Sequence, residues 1–241
     1  MKRIAILIIH GFGGGIYDQE DLANRLELIK KFDVYSFTLP GHDKYIVDNI
    51  TKEDWINSAN EMVEKLKKRG YKKIYLIGHS MGGVIASYLA VNHKEIKKIV
   101  LAAPAFEYIF KDKTLNGFKT SIKQGISVLK RFTGLKEIVS RALKIPKKTI
   151  KEFRGLVDSH QEEVKDISIP ILIIHGLSDD IVEYHSSIKI FEKIKSNKKK
   201  LLLVKGLSHR VFKDIKQEEI LNETINFLKR HQLKMNIKKI I

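Results

Sequence analysis

A chain of 241 residues can organise one large core, and its 43% hydrophobic and 30% charged composition, without low-complexity tracts or repeats, excludes a disordered or solenoid protein. The absence of cysteine excludes disulfides, thiolate metal sites and a cysteine nucleophile, and it fits a reducing compartment, so the cytoplasm is the expected location. The formal net charge of +17 is spread over scattered lysines, as at Lys67-Lys68, Lys97-Lys98 and Lys198 to Lys200, with no RNA-binding aromatic motif or zinc finger beside them; this reads as a solvated surface, with no nucleic-acid partner and at most weak attraction to anionic lipid.

Short β-branched runs alternate with segments of helical period, the pattern of a parallel sheet with crossover helices. Lys2 and Arg3 before the apolar run Ile4 to Ile9 resemble the start of a signal peptide, but the run ends at His10-Gly11 and reads as a buried strand. No window approaches the roughly 20 apolar residues of a membrane span. A helix follows over Asp18 to Lys31, with Leu22, Leu26 and Ile29 on one face, then a strand over Val34 to Leu39 closed by Pro40-Gly41. Asp54 to Arg69 is the clearest helix: Trp55, Ile56, Ala59, Met62, Val63 and Leu66 recur at three and four, and Gly70 stands at its stop. Strands at Ile74 to Ile77 and Ile99 to Ala102 bracket a helix from Met81 to His93.

The alternation then breaks. Residues 106–165 hold amphipathic pieces (Ile122, Ile126 and Leu129; Ile138, Val139, Ala142 and Leu143) but no strand-like run, and read as a helical cap inserted between core segments 1–105 and 166–241. Beyond Pro170 come a strand at Ile171 to Ile174, a helix near Ser186 to Ile194, a strand at Leu201 to Val204 and a last helix containing Leu221, Thr224, Ile225 and Leu228.

Chemistry enters at Gly78-His79-Ser80-Met81-Gly82, a G-x-S-x-G pentapeptide between a strand and a helix. In that context the motif has mechanical meaning: a sharp, strained turn exposes the serine hydroxyl, small residues two positions either side let strand and helix approach, and the helix N-terminus favours developing negative charge. On these residues the sequence resembles the α/β-hydrolase family, and Pro40-Gly41-His42, the Asp54-Trp55 helix start and the insertion after Pro104 are similar to bacterial carboxylesterases related to monoglyceride lipases.

The resemblance implies an α/β fold of about six parallel strands flanked by helices, the family's first two strands being absent, with Ser80 as nucleophile. It places an oxyanion loop at His10 to Gly15, whose donor position corresponds to Phe12, so that the backbone N–H groups of Phe12 and Met81 would bind the oxyanion. A dinucleotide or phosphate loop is the competing reading of those glycines, but Ile16 stands where G-x-G-x-x-G requires its last glycine, and there is no P-loop lysine. The acid falls in His175-Gly176-Leu177-Ser178-Asp179-Asp180, where the family's spacing selects Asp179 over Asp180. The base is His209, directly after the last predicted strand, and the chain order Ser80, Asp179, His209 is that expected of the fold. His93 and His231 read as surface residues.

His10, His42, His79, His175 and His185 lie near strand ends without forming a close ligand pair, so neither metal nor cofactor is expected. The implied activity is hydrolysis of carboxylic esters, of short- to medium-chain or monoacylglycerol-like substrates, through an acyl-enzyme, with the cap roofing the acyl pocket. A thioesterase or lysophospholipase would use the same residues, and a catalytically silent binding protein would normally show a broken triad. Serine at position 80 excludes a dehalogenase, which needs aspartate there.

Overall fold

The computed structural model describes residues 3–42, 49–106, 146–179, 181–214, 216–230 and 235–241. Seven parallel strands form one sheet: β1 (Ile4–Ile9), β2 (Phe32–Ser36), β3 (Ile74–His79), β4 (Ile96–Ala102), β5 (Ile171–Gly176), β6 (Lys198–Val204) and β7 (Met235–Ile240), in the order β2-β1-β3-β4-β5-β6-β7. Six α-helices flank it among the described residues: α1 (Glu20–Glu27), α2 (Lys52–Lys68), α3 (Met81–Asn92), α4 (Lys147–His160), α5 (Tyr184–Lys193) and α6 (Gln217–Lys229).

Residue alternation along the strands divides the interior in two. Leu7, Ile9, Leu76, Ile99, Leu101, Ile173 and Leu201 enter one cluster with Trp55, Val63 and Leu89 of the helices. Ile6, Ile8, Ile77, Val100, Leu172, Ile174 and Leu202 enter the other, with Leu22, Leu26, Leu221 and Leu228. Side chains two apart point to one face of a sheet, so strands buried on both faces read as the continuous apolar runs seen in the sequence.

The chain turns from β1 to β2 on one side and then crosses to β3 on the other. This reversal opens a crevice at the carboxyl ends of β1 and β3, the place where open α/β sheets receive ligands.

Element limits moved modestly from expectation. The first helix starts as a 3-10 turn at Ile16–Gln19 and continues as α1, leaving Ile29 outside it, and β2 begins at Phe32, two residues early. Helix α2 starts at Lys52 because Thr51 caps it: Thr51 Oγ1 accepts from Asp54 N at 3.2 Å, and Thr51 N donates to Asp54 Oδ2 at 2.8 Å. In the insertion, α4 is helical as expected; the pieces from Ile122 to Leu143 lie outside the described residues.

Two findings were not legible. Strand β7 adds a seventh member beside β6, running through Lys238 and Lys239, which carry little apolar signal. Lys98 is a correction to the reading of the lysines as solvated: it is 6% exposed, and its Nζ donates to the carbonyls of Phe227 (2.9 Å), Leu228 (3.1 Å) and Arg230 (2.5 Å). It caps the C-terminus of α6, where the helix has unpaired carbonyls and favours a cation, while burial lowers its pKa to about 8.

Candidate active site

Ser80 sits at the turn between β3 and α3 with φ 53° and ψ −119°, a left-handed conformation that costs a non-glycine residue of order 1–3 kcal/mol. Packing enforces the turn. A Cβ on Gly78 would lie 2.3 Å from the carbonyl oxygen of Gly82, and one on Gly82 would lie 2.3 Å from that of Ile9. Ser80 N donates to Ala102 O at 2.9 Å, and the Ser80 carbonyl accepts from Gly83 N (2.9 Å) and Ala105 N (3.2 Å), tying the strained residue to β4 and to the chain beyond it.

The loop after β1 lies against this turn, since a Cβ on Gly11 would stand 3.0 Å from Ser80 Cβ. His10 holds the loop: its Nδ1 donates to Gly11 O at 2.8 Å and its Nε2 accepts from Leu39 N at 2.9 Å. The Phe12 ring turns away from the backbone to stack on Phe153 of α4 at 5.0 Å, edge-on to Trp55 and His42. Met81 is the first residue of α3, so its N–H belongs to the opening turn whose amides have no intrahelical acceptor.

On the loops after β5 and β6 the structure brings Asp179 and His209 together. Asp179 Oδ2 accepts from His209 Nδ1 at 2.8 Å. The other oxygen, Oδ1, accepts from Ile181 N and Val182 N, both at 2.9 Å, and the side chain is fully buried. Burial alone would raise this carboxyl, but the His209 and His175 rings outweigh it and hold the group well below the usual carboxylate range.

His175, read from the sequence only as a histidine near a strand end, supports Asp179. Its Nε2 lies 3.1 Å from Asp179 Oδ2 and 2.9 Å from Val182 O. Both neighbours only accept, so Nε2 bears the proton and the Ser187 hydroxyl donates to Nδ1 at 2.6 Å. The four-residue interval from His175 to Asp179 was the available signal; Ser187, on α5, offered none. Asp180, the alternative acid, lies outside the described residues.

His79 links the two halves of the site. It precedes Ser80, and its Nε2 donates to the His209 carbonyl at 2.9 Å with the rings 4.9 Å apart. Burial, then the His209 charge, lowers its pKa to about 3, so it is neutral at ordinary pH.

A cavity of about 150 Å³ opens beside His209, lined by Phe12, Tyr17, Gln19, His79, Arg210 and Lys213 among others. Among the described residues no group of three or more His, Asp or Glu side chains is arranged to hold a metal ion, and no helix is long and apolar enough to cross a membrane.

A family profile described as "Serine aminopeptidase, S33" (Hydrolase_4) matches residues 1–216. The thermostable monoacylglycerol lipase of Bacillus sp. (strain H-257) is 27% identical over 235 residues, covering 95% of this chain and 91% of that protein. The carboxylesterase of Bacillus subtilis (strain 168) is 22% identical, covering 94% and 92%. Among solved structures, the monoacylglycerol lipase of Paleococcus ferrophilus superposes with a TM-score of 0.72 at 24% identity, covering 93% of each chain. A soluble variant of monoglyceride lipase from Saccharomyces cerevisiae superposes with a TM-score of 0.71 at 23% identity, covering 96% of this chain and 87% of that one. These likenesses show the fold.

Proposed function

We propose a catalytic assignment for a chain that belongs to the Hydrolase_4 family of the α/β-hydrolase superfamily and is an ester-hydrolysing enzyme: Ser80, His209 and Asp179 form a triad that cleaves short- to medium-chain or monoacylglycerol-like esters. The observation that carries it is the 2.8 Å bond from His209 Nδ1 to a buried Asp179 whose remaining acceptor positions are filled, beside the strained Ser80 turn. With Nδ1 donating to Asp179, Nε2 of the neutral ring carries the lone pair, so His209 takes the Ser80 proton as Oγ attacks the ester carbonyl.

The tetrahedral oxyanion is held by the amides of Phe12 and Met81, each such donor being worth ~3 kcal/mol in the barrier. His209 returns the proton to the leaving alcohol, leaving Ser80 acylated. Water, deprotonated by the same ring, attacks the acyl-enzyme and releases the acid and Ser80. Residues 106–165 are assigned as the cap, between core segments 1–105 and 166–241. The stacking of Phe153 on Phe12 supports this, because it sets α4 over the oxyanion loop. The cytoplasm is assigned as the location from the cysteine-free composition.

The test is fluorophosphonate labelling followed by a panel of p-nitrophenyl esters of increasing chain length, acyl-thioesters and lysophospholipid. Labelling at Ser80, loss of turnover on the order of 10⁶ in Ser80→Ala and an unchanged fold are expected. Ester hydrolysis undiminished in that variant removes the assignment, and a preference for thioesters keeps the mechanism while changing the substrate.

A further inference from the structure

Strand β5 runs through Ile171, Leu172, Ile173 and Ile174 and then places His175, fully buried, two positions beyond Ile173 and so on the same face of the sheet. An apolar side chain there would continue the core without a desolvation cost, whereas a buried imidazole needs partners at both nitrogens. It has them, and they come from two different parts of the chain. Ser187 Oγ on α5 donates to Nδ1 at 2.6 Å, while the Nε2 proton is shared between Val182 O at 2.9 Å and Asp179 Oδ2 at 3.1 Å.

Asp179 stands on the loop between β5 and α5. Toward His209 that loop is fixed through its backbone: Leu177 N donates to Val204 O at 2.9 Å and Ser178 N to Leu207 O at 3.1 Å, two residues before His209. On the other side the His175 ring ties the strand to the Val182 carbonyl and, through Ser187, to the first turn of α5.

The carboxylate oxygen that the ring reaches is Oδ2, the atom that also accepts from His209 Nδ1 at 2.8 Å, and Oδ1 is occupied by Ile181 N and Val182 N. Two N–H groups on each oxygen fix the plane of the carboxylate and favour its ionised form, which an imidazolium at position 209 requires. Burial opposes that ionisation, and the His209 charge and then the His175 hydrogen bond outweigh it. A ring that served only to anchor the loop would need the Val182 carbonyl and nothing more; sharing Oδ2 joins it to the hydrogen-bond chain that ends at the base.

We infer that His175, held in one tautomer by Ser187, is a positioning residue of the ester-hydrolysing reaction. It aims the carboxylate of Asp179 at His209 without touching substrate, a role that rests on the reading of Asp179 and His209 as acid and base.

Three variants test it on a p-nitrophenyl ester, with circular dichroism checking the fold. His175→Leu roughly keeps the volume of the ring and removes both nitrogens. Its kcat is expected to fall about 10- to 100-fold with KM changed by less than about threefold, because a misaimed base slows the chemical step and leaves binding alone. His175→Gln returns an amide N–H near the place of Nε2 and should recover most of that loss. Ser187→Ala keeps the ring and removes the hydroxyl that fixes its tautomer, so kcat should fall about three- to tenfold at constant KM, and it carries the test if His175→Leu does not fold. A kcat within about twofold of the parent chain in whichever of these two is folded overturns the inference. So does an equal loss in His175→Leu and His175→Gln, which would reduce the ring to packing.

Proton spectra of the chain carrying isotope-labelled histidine give a readout that needs no turnover. The signal of the His209 Nδ1–H bonded to Asp179 should shift or broaden in His175→Leu and in Ser187→Ala, and an unchanged signal overturns the inference. Activity retained by Ser80→Ala would instead sink the catalytic assignment, whereas unaltered kcat in these variants of a chain whose Ser80 reacts sinks the role of His175 alone.

Discussion

The two sides of the His209 ring are built on opposite terms. Behind it, the carboxylate of Asp179 accepts from two amides and two imidazoles, and His175 is in turn engaged at both nitrogens by Val182 and Ser187. In front, Gln19 Oε1 and His79 Nδ1 are buried with no partner, and Arg210 and Lys213 have no counter-ion among the described residues. A fully satisfied buried network fixes one geometry, whereas each unsatisfied buried group carries a free-energy cost. The first side therefore holds the ring of the proposed base, and the second leaves polar atoms unpaired.

The sharpest way to break this contrast is Asp179→Asn. An amide in place of the carboxylate reverses the hydrogen bond to His209 and favours the wrong tautomer, so kcat on a p-nitrophenyl ester should fall about 10⁴-fold with circular dichroism unchanged. A fall below about tenfold would mean that the side behind the ring is structural only.

Acid separates the two sides next. In front, His79, with a pKa lowered to about 3, stays neutral in the fold while the unfolded chain protonates near 6.5. His42, lowered to about 4 by burial, and His10, also lowered by burial, behave alike beside the loop after β1. The unfolded state then binds more protons, so stability falls as pH drops below about 6.5, by up to about 1.4 kcal/mol per pH unit for each ring until its folded pKa is reached. Asp179, held low in the fold, adds stability that is present above about 3.9 and is lost only below that pH. Urea midpoints measured from pH 7 to 4 should decline steadily, and a flat profile over that window would show these rings to be protonated in the fold.

Ser187→Ala removes the hydroxyl that donates to His175 and leaves that buried nitrogen unpaired, at a cost of about 1–3 kcal/mol by urea unfolding. The matching change in front should behave otherwise. Gln19→Leu deletes an unpaired acceptor, so stability should stay within about 1 kcal/mol or rise. A loss larger than that of Ser187→Ala would erase the distinction between the two sides.

Much of the candidate site was readable because its parts are local. The G-x-S-x-G turn, the His-Gly-x-x-Asp spacing and a histidine just past a strand each occupy a few consecutive residues, and strand ends of a parallel sheet bring such segments to one rim. The support behind Asp179 was half readable: His175 is four residues away, but Ser187 comes from the next helix. The compartment in front was not readable, since Gln19 and Lys213 are almost two hundred positions apart and nothing in either neighbourhood marks them as neighbours.

Apolar periodicity by itself determined the alternation of strands and helices, because burial on both faces of a sheet and on one face of a helix leaves an imprint on nearest neighbours in the chain. Tertiary structure alone decided which polar atoms are left without partners, and that strand β7 extends the sheet beyond β6. It also decided that Lys98, one lysine among many in the sequence, sits buried at the end of α6. Hydrogen-bond satisfaction and solvent exposure depend on what the rest of the chain brings to a place, and no local pattern encodes that.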